Sequence, residues 1–149
     1  MQITTLDKFP LKWRWTEPQY CILSNEELSL IEPLSEESAK EVWEKSLSFI
    51  SRDSDFSPNR ELFKEICEIE CNDENDIEIW LKQRIQAEKV IVSWQPDTAV
   101  IVSSKLFIEH WEDFCYPSSD DVSIWPFDEK WVVHYWHEEM FCYGKSTRV

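Results

Sequence analysis

Glycine is nearly absent from this sequence, since Gly144 is the only one among 149 residues. Phosphate-binding loops, the dinucleotide-binding fingerprint and the nucleophile elbow of hydrolases each need glycines at fixed spacing, because the backbone turns sharply there. The sequence therefore excludes these three motifs. We find no other catalytic motif and expect no cofactor.

A long apolar segment is lacking too. The first twenty residues include Asp7, Lys8, Lys12, Arg14 and Glu17, where a secretion signal would have an apolar core, and no stretch is long enough to span a membrane. The five cysteines are odd in number and irregularly spaced, which is typical of reduced, mostly buried thiols. These features predict a cytoplasmic protein with no membrane partner.

Positive charge is scarce, because 15 Lys and Arg stand against 30 Asp and Glu and the net charge is −15. Such a charge repels nucleic acid and anionic membrane surfaces. Most of the excess lies between Glu17 and Ile79, where 18 acidic residues face five basic ones, a balance of −13. We therefore expect no nucleic-acid partner, and a segment that attracts a basic protein.

Apolar and aromatic residues are plentiful. The chain is 42% hydrophobic and 14% aromatic, with nine Trp and eight Phe, which is far more than a disordered acidic tail contains. Its length is that of one ordinary domain. We predict a single folded domain over residues 1–149.

The first half of the chain predicts four helices, because apolar residues recur at three- and four-residue spacing after capping Ser, Asp or Pro residues. The predicted helices are a short one from Ser24 that stops before Pro33, one over Glu36 to Phe49, one from Pro58 to Ile69, and one from Ile77 to Ile85.

The second half predicts strands. Two β-branched runs form a hairpin, a helix with Phe107, Trp111 and Phe114 on one face follows, and three further strands form a meander. The predicted strands are Val90 to Trp94, Thr98 to Val102, Val122 to Phe127, Trp131 to Trp136 and Met140 to Tyr143. The expected fold is α+β, with N-terminal helices followed by a five-stranded antiparallel sheet that helices cover on one face.

Two stretches contain residues that bind metals in other proteins. His134 and His137, with Glu138 or His110, offer imidazole and carboxylate ligands, but residues three apart in a strand point to opposite faces. Asp53 to Ser57 begins like a calcium loop, yet Pro58 stands where the loop needs glycine and Lys64 where it needs the bidentate glutamate. We predict no metal site.

The cysteines give no clear catalytic signal either. Cys67 and Cys71 are four residues apart, which is one turn of the predicted helix, but no second pair lies at zinc-finger spacing. Cys115 or Cys142 could act with His110 or His134 as a nucleophile, although no local signature marks them. We predict that the protein has no catalytic residues and is not an enzyme.

The residues that we predict to contact a partner are acidic, with one exposed aromatic. Strand alternation places Trp136 on the face of His134 and Tyr135 on the other face, so either helices cover both faces or one face presents Trp136 to a partner as an aromatic anchor. The predicted partner-binding residues are Glu61, Glu65, Glu68, Asp73, Glu74, Asp76 and Trp136. The alternative is that the acids only keep a helix face solvated.

Two sets of residues give this chain a resemblance to known bacterial families. The first set comprises Leu6 to Phe9, Trp13 to Trp15, Glu27-Leu28, Ile31 to Leu34, Ala39 to Trp43, Phe107, His110-Trp111, Phe114 and Asp121. It resembles a family of small gammaproteobacterial proteins of unknown function. The second set comprises Asp120-Asp121, Trp131 to Tyr135, His137-Glu138 and Tyr143 to Lys145. It resembles the C-termini of some immunity proteins of polymorphic toxin and contact-dependent growth inhibition systems.

The second resemblance implies a small, acidic, cytoplasmic antitoxin that binds a toxin domain tightly without catalysis. Our leading interpretation is therefore an immunity protein that neutralises a cognate bacterial toxin domain, often a basic nuclease, by electrostatic and aromatic contacts. One alternative is a non-catalytic acidic protein-binding module with another partner. A second is a metal- or thiol-dependent hydrolase that uses His134, His137 and Cys142.

Overall fold

Seven antiparallel strands form one sheet in the order β1-β4-β3-β5-β6-β7-β2 in the computed structural model, which describes residues 1–52 and 56–148. The strands are β1 (Ile31–Pro33), β2 (Phe63–Glu70), β3 (Lys89–Gln95), β4 (Thr98–Ser103), β5 (Val122–Trp125), β6 (Trp131–Trp136) and β7 (Met140–Ser146). The helices are α1 (Trp13–Thr16), α2 (Asn25–Leu28), α3 (Glu36–Phe49), α4 (Ile77–Arg84), α5 (Ser104–Glu109) and α6 (Trp111–Phe114), with a 3-10 turn at Leu6–Lys8.

The predicted five-stranded sheet is wrong, because two strands from the first half of the chain complete it at its edges. β1 pairs with β4 and β2 pairs with β7. β1 has three residues and contains Pro33, which donates no hydrogen bond and is tolerated in strands mainly at sheet edges. From the sequence alone, that proline was expected to end a helix.

The predicted helix from Pro58 to Ile69 is also wrong, because most of this stretch is β2. A bulge between Lys64 and Cys67 shifts the register of β2 against β7, and Glu65 has a left-handed backbone with φ of 53°. The extra residue moves the inward side chains from one face of the sheet to the other. Phe63 therefore packs in one core and Ile69 against the other, so the apolar residues of β2 do not follow the alternation of a regular strand.

Several elements form where the sequence predicts them. α3 spans Glu36–Phe49, with the hydroxyl of Ser35 accepting a hydrogen bond from the Ser38 N–H, and Asp76 caps α4 in the same way. The hairpin β3-β4 and the meander β5-β6-β7 are present. The helix predicted up to Phe114 is divided at His110, where φ and ψ are −120° and 28°.

Helices cover both faces of the sheet rather than one. α3 packs on one face, where Ala39, Val42 and Phe49 meet a small core. The larger core lies on the opposite face, beneath α4, α5, α6 and the N-terminal segment. We call these the α3 face and the α4–α6 face. Because side chains alternate along β6, Val132 lies on the α3 face and Val133 lies on the α4–α6 face.

In the described part of the chain, no helix has the length and apolar character that crossing a membrane requires.

Candidate functional site

A cleft of about 860 Å³ opens on the α4–α6 face. Its walls come from the loop between β2 and α4, from α6 and the residues after it, and from the turn between β6 and β7. The lining residues are Cys71, Asn72, Asp73, Glu74, Asn75, Asp76, Ile77, Glu78, Trp111, Glu112, Cys115, Pro117, Tyr135 and Glu139. We call this the acidic cleft.

Negative charge dominates the acidic cleft. Six of its lining residues are carboxylic acids, and no Lys, Arg or His from the described ranges lines it. Four of the acids lie on or just before α4, namely Asp73, Glu74, Asp76 and Glu78, while Glu112 lies on α6 and Glu139 in the β6-β7 turn. A cleft with walls of a single charge sign concentrates its electric field and attracts cations.

The acidic loop between β2 and α4 is held by its own hydrogen bonds. The Asn72 side-chain oxygen accepts from the Glu74 N–H at 3.0 Å, and the Asn75 side chain donates to the Glu70 carbonyl at 2.9 Å. The Cys71 N–H donates to the Glu139 carbonyl at 2.8 Å. The loop carboxylates are therefore positioned before any ligand arrives.

Aromatic residues and a buried thiol form the floor of the acidic cleft. Trp111 is half-buried and meets Phe141 edge-on at 5.5 Å between ring centroids, and Tyr135 meets the same ring at 5.0 Å. Cys115, which also lines the cleft, is buried as part of the larger core. The floor thus offers an apolar surface within a ring of carboxylates.

The surroundings of the acidic cleft raise the pKa values of two thiols and one phenol that line it. Burial, followed by the charges of Glu139 and Glu112, raises the pKa of Cys71 from 9.0 to about 12. Burial, followed by Asp120, raises the pKa of Cys115 well above its ordinary value. Burial also raises the pKa of Tyr135. These groups stay protonated at neutral pH, so the floor adds no charge to the acidic walls.

The structure brings together only some of the predicted partner-binding residues. Asp73, Glu74 and Asp76 line the acidic cleft. The remaining residues of that prediction, Glu61, Glu65, Glu68 and Trp136, do not line it.

These four lie at other places on the surface. Glu61 precedes β2, Glu65 lies 3.7 Å from Lys145, and Glu68 is opposite Cys142 on the α3 face. Trp136 is half-buried on that same face, since it shares the parity of Val132 along β6. Trp136 and the floor of the acidic cleft therefore lie on opposite faces of the sheet.

Sequence reasoning missed Glu78, Glu112 and Glu139, and it did not place an aromatic floor beneath the acids. Glu78 lies in α4 next to residues that were predicted. Glu112 and Glu139 reach the cleft only through tertiary packing, because the pairing of β2 with β7 brings Glu139 beside Cys71. No local pattern signals this contact.

Two residues of the hydrolase alternative, His134 and Cys142, are cross-strand neighbours, whereas His137 lies apart from them. His134 is fully buried on the α3 face, between Ser123 and Cys142 on the neighbouring strands, with the Phe56 ring tilted by 47° against it at 4.8 Å between centroids. Neither of its ring nitrogens has a hydrogen-bond partner among the described residues. His137 is in the turn after β6, where its Nδ1 lies 2.9 Å from Asp121.

The sequence contains two other metal-like patterns, both predicted not to bind a metal, and the structure describes only one of them in full. Cys67 and Cys71 belong to an extended segment, which keeps residues four apart about 13 Å from each other. Most of the calcium-like stretch, namely Asp53, Ser54 and Asp55, lies outside the described residues.

A different group of potential metal ligands does come together. Among the described residues, the Cys21, His110 and Asp113 side chains have ligand atoms within 4.8 Å of one another. The pKa of Cys21 rises from 9.0 to about 11, first because of burial and then because of Asp113. Sequence reasoning considered His110 with His134 as a metal ligand and with Cys115 or Cys142 as a catalytic pair, but did not connect it with Cys21.

The chain matches no protein-family model, no curated protein and no solved structure. The resemblances to the gammaproteobacterial family and to immunity proteins therefore stay predictions.

Proposed function

We propose that this protein is an inhibitor that binds a basic protein domain at the acidic cleft and neutralises it, as an immunity protein neutralises a toxin. The observation that supports the proposal is the cleft itself, in which six carboxylates surround a partly apolar floor. Such a surface attracts a cationic partner over a distance and speeds its association.

An arginine or lysine side chain of the partner fits this arrangement. Its aliphatic stem packs on the half-buried Trp111, while its charged head group reaches the carboxylates of Glu112 and Glu139. The proposed contact therefore combines an apolar anchor with charge-assisted hydrogen bonds.

Preorganisation favours tight binding. The hydrogen bonds of Asn72 and Asn75 hold the loop that carries Asp73 and Glu74. Ordering a loop during association costs free energy, and that cost is smaller for a loop that is already held.

A basic nuclease domain is the partner class that we propose. A nuclease needs cationic surface to bind the phosphate backbone, and an array of protein carboxylates competes for the same surface. The family resemblance described above implies the same class of partner.

The proposal can be tested with the toxin domain encoded by the neighbouring reading frame. We expect binding by titration calorimetry, inhibition of the toxin's activity, and an affinity that falls as salt is raised. In a variant with Asp73→Asn, Glu112→Gln and Glu139→Gln, we expect the affinity to fall at least about tenfold, mainly through slower association at low salt.

The matched control removes three carboxylates elsewhere. Glu37→Gln, Glu41→Gln and Glu44→Gln change the net charge equally but act on exposed positions of α3, on the opposite face of the sheet. We expect this control to bind almost as well as the unmodified protein. Equal loss in both variants, or no binding to the neighbouring toxin at low salt, would contradict the proposal.

A further inference from the structure

Four side chains from separate parts of the chain converge around His110, outside the acidic cleft. Cys21 lies in the loop between α1 and α2, and Glu27 lies in α2. His110 is at the junction of α5 and α6, and Asp113 is on α6. All four are half-buried, so water is partly excluded while an ion can still enter.

The distances between these groups suit a small metal ion. His110 Nδ1 lies 3.5 Å from Asp113 Oδ2. Tetrahedral zinc with bonds of about 2.1 Å holds nitrogen and oxygen ligands about 3.4 Å apart. The Cys21 sulfur lies within 4.8 Å of both groups, and because Cys21 belongs to a loop it can approach by the remaining distance.

Glu27 orients the imidazole towards this group. One oxygen of its carboxylate accepts the Ser24 N–H at 3.0 Å, within the capping box of α2. The other lies 3.1 Å from His110 Nε2. A carboxylate on Nε2 favours the proton there and leaves the Nδ1 lone pair on the side of Asp113, whose Oδ2 is 3.5 Å away.

We propose that Cys21, His110 and Asp113 bind a zinc ion, with Glu27 as the residue that positions His110. The carboxylate–histidine–metal arrangement is the usual outer support of such sites, since it fixes the ring and raises its basicity. A water molecule completes the tetrahedron.

The mixed ligand set selects the metal. A thiolate with an imidazole suits a borderline-soft ion such as Zn²⁺, whereas Mg²⁺ and Ca²⁺ prefer oxygen ligands alone. When the site binds zinc, the Cys21 S–H bond breaks, a sulfur–zinc bond forms, and the proton passes to solvent.

The ion would join parts of the chain that are far apart in sequence. It would tie the loop before α2 to α6, which also carries Trp111 and Glu112 of the acidic cleft. Zinc binding therefore stabilises the folded protein by mass action and fixes one wall of the cleft.

The test uses the whole protein, stripped of metal by a chelator and then titrated with Zn²⁺ or Co²⁺. We expect one equivalent of zinc to bind and to raise the melting temperature. Cobalt should give the intense visible bands of a tetrahedral site and a thiolate-to-cobalt charge-transfer band in the near ultraviolet.

Variants locate the site. Cys21→Ser should abolish the charge-transfer band, and His110→Ala should abolish stoichiometric binding. Glu27→Gln keeps the capping box, so we expect the cobalt spectrum to persist while the zinc affinity falls about 10- to 100-fold.

Cys71→Ser and His137→Ala are the matched controls, because they remove a thiol and an imidazole that lie outside the proposed site. Both should bind zinc as the unmodified protein does. The inference is overturned if no saturable binding occurs, if Cys21→Ser keeps the charge-transfer band, or if Cys71→Ser loses it. In the last two cases cobalt is bound by another thiol.

Discussion

Arg14 and Asp120 form a bidentate ion pair inside the protein, with Nη1 2.7 Å from Oδ2 and Nη2 3.2 Å from Oδ1. Their side chains are only 5% and 9% exposed. The Tyr116 ring stacks on the guanidinium at 3.9 Å, and the Tyr116 N–H donates to Asp120 at 2.9 Å. This pair fastens the N-terminal segment to the loop after α6.

Removing one partner of this pair should be costly. Arg14→Leu leaves the Asp120 carboxylate buried without its cation, and we expect the free energy of unfolding to fall by about 3–5 kcal/mol. Urea denaturation measures the change. Lys89→Met is the control, because the Lys89–Glu32 pair is partly exposed and should be worth less than about 1 kcal/mol. Similar losses in both variants would mean that burial does not strengthen the Arg14 pair.

His134 should make the protein less stable in acid. Burial lowers the pKa of His134 from 6.5 to about 3, so the folded protein keeps it neutral while the unfolded chain takes up a proton below pH 6.5. The free energy of unfolding therefore falls as the pH decreases from 6.5 towards 3, by at most about 1.4 kcal/mol per pH unit from this group. Denaturation at several pH values between 6.5 and 5 follows this change.

The His134→Leu variant isolates this contribution. It removes a titrating group whose ring nitrogens lack described partners, so we expect a smaller dependence on pH and no loss of stability at pH 7. An unchanged slope between pH 6.5 and 5 would show that His134 does not control the acid response.

Gly144 is required by close packing on β7, next to the edge strand β2. A Cβ atom at this position would lie 2.8 Å from the Phe63 Cβ and 2.9 Å from the Pro58 Cβ. Both neighbours are buried and neither contact is made by a flexible chain end, so Gly144→Ala should destabilise the fold by about 1–3 kcal/mol. Thermal and urea denaturation measure the loss. Lys145→Ala, at the adjacent exposed position, should change stability by less than about 0.5 kcal/mol.

Cys71 should react slowly with alkylating reagents. Its pKa of about 12 leaves very little thiolate at pH 8, so we expect alkylation about 1000-fold slower than in the unfolded protein. Mass spectrometry of a Cys67→Ser protein follows the reaction at this residue. Glu112→Gln with Glu139→Gln should speed it, while Glu44→Gln on α3 should not. A rate equal to that of the unfolded chain would contradict the raised pKa.

The sequence predicts best those elements whose signals are local. The Ser35 cap and the apolar spacing along α3 gave its bounds, and the β-branched runs gave the hairpin β3-β4. β2 was mistaken for a helix because the bulge at Glu65 breaks the two-residue alternation of a strand. β1 was missed because three residues with a proline carry almost no pattern.

The acidic cleft was predictable only in part, for a similar reason. Asp73, Glu74 and Asp76 are neighbours in sequence, and their clustering was visible. Glu112 and Glu139 join them only after the sheet has formed, since long-range pairing sets their position. The group around His110 is harder still to foresee, because Cys21 and Asp113 lie in distant segments.

The order of strands also determines when the acidic cleft can form during synthesis. β2 is the second strand to be made, yet it lies at the edge of the sheet beside β7, the last. Until residues 140–146 have left the ribosome, β2 lacks its neighbour and Cys71 has no Glu139 carbonyl to hold it. Such distant pairings form slowly, because a long loop must close first. The nascent chain therefore lacks the complete acidic cleft until its synthesis has passed β7.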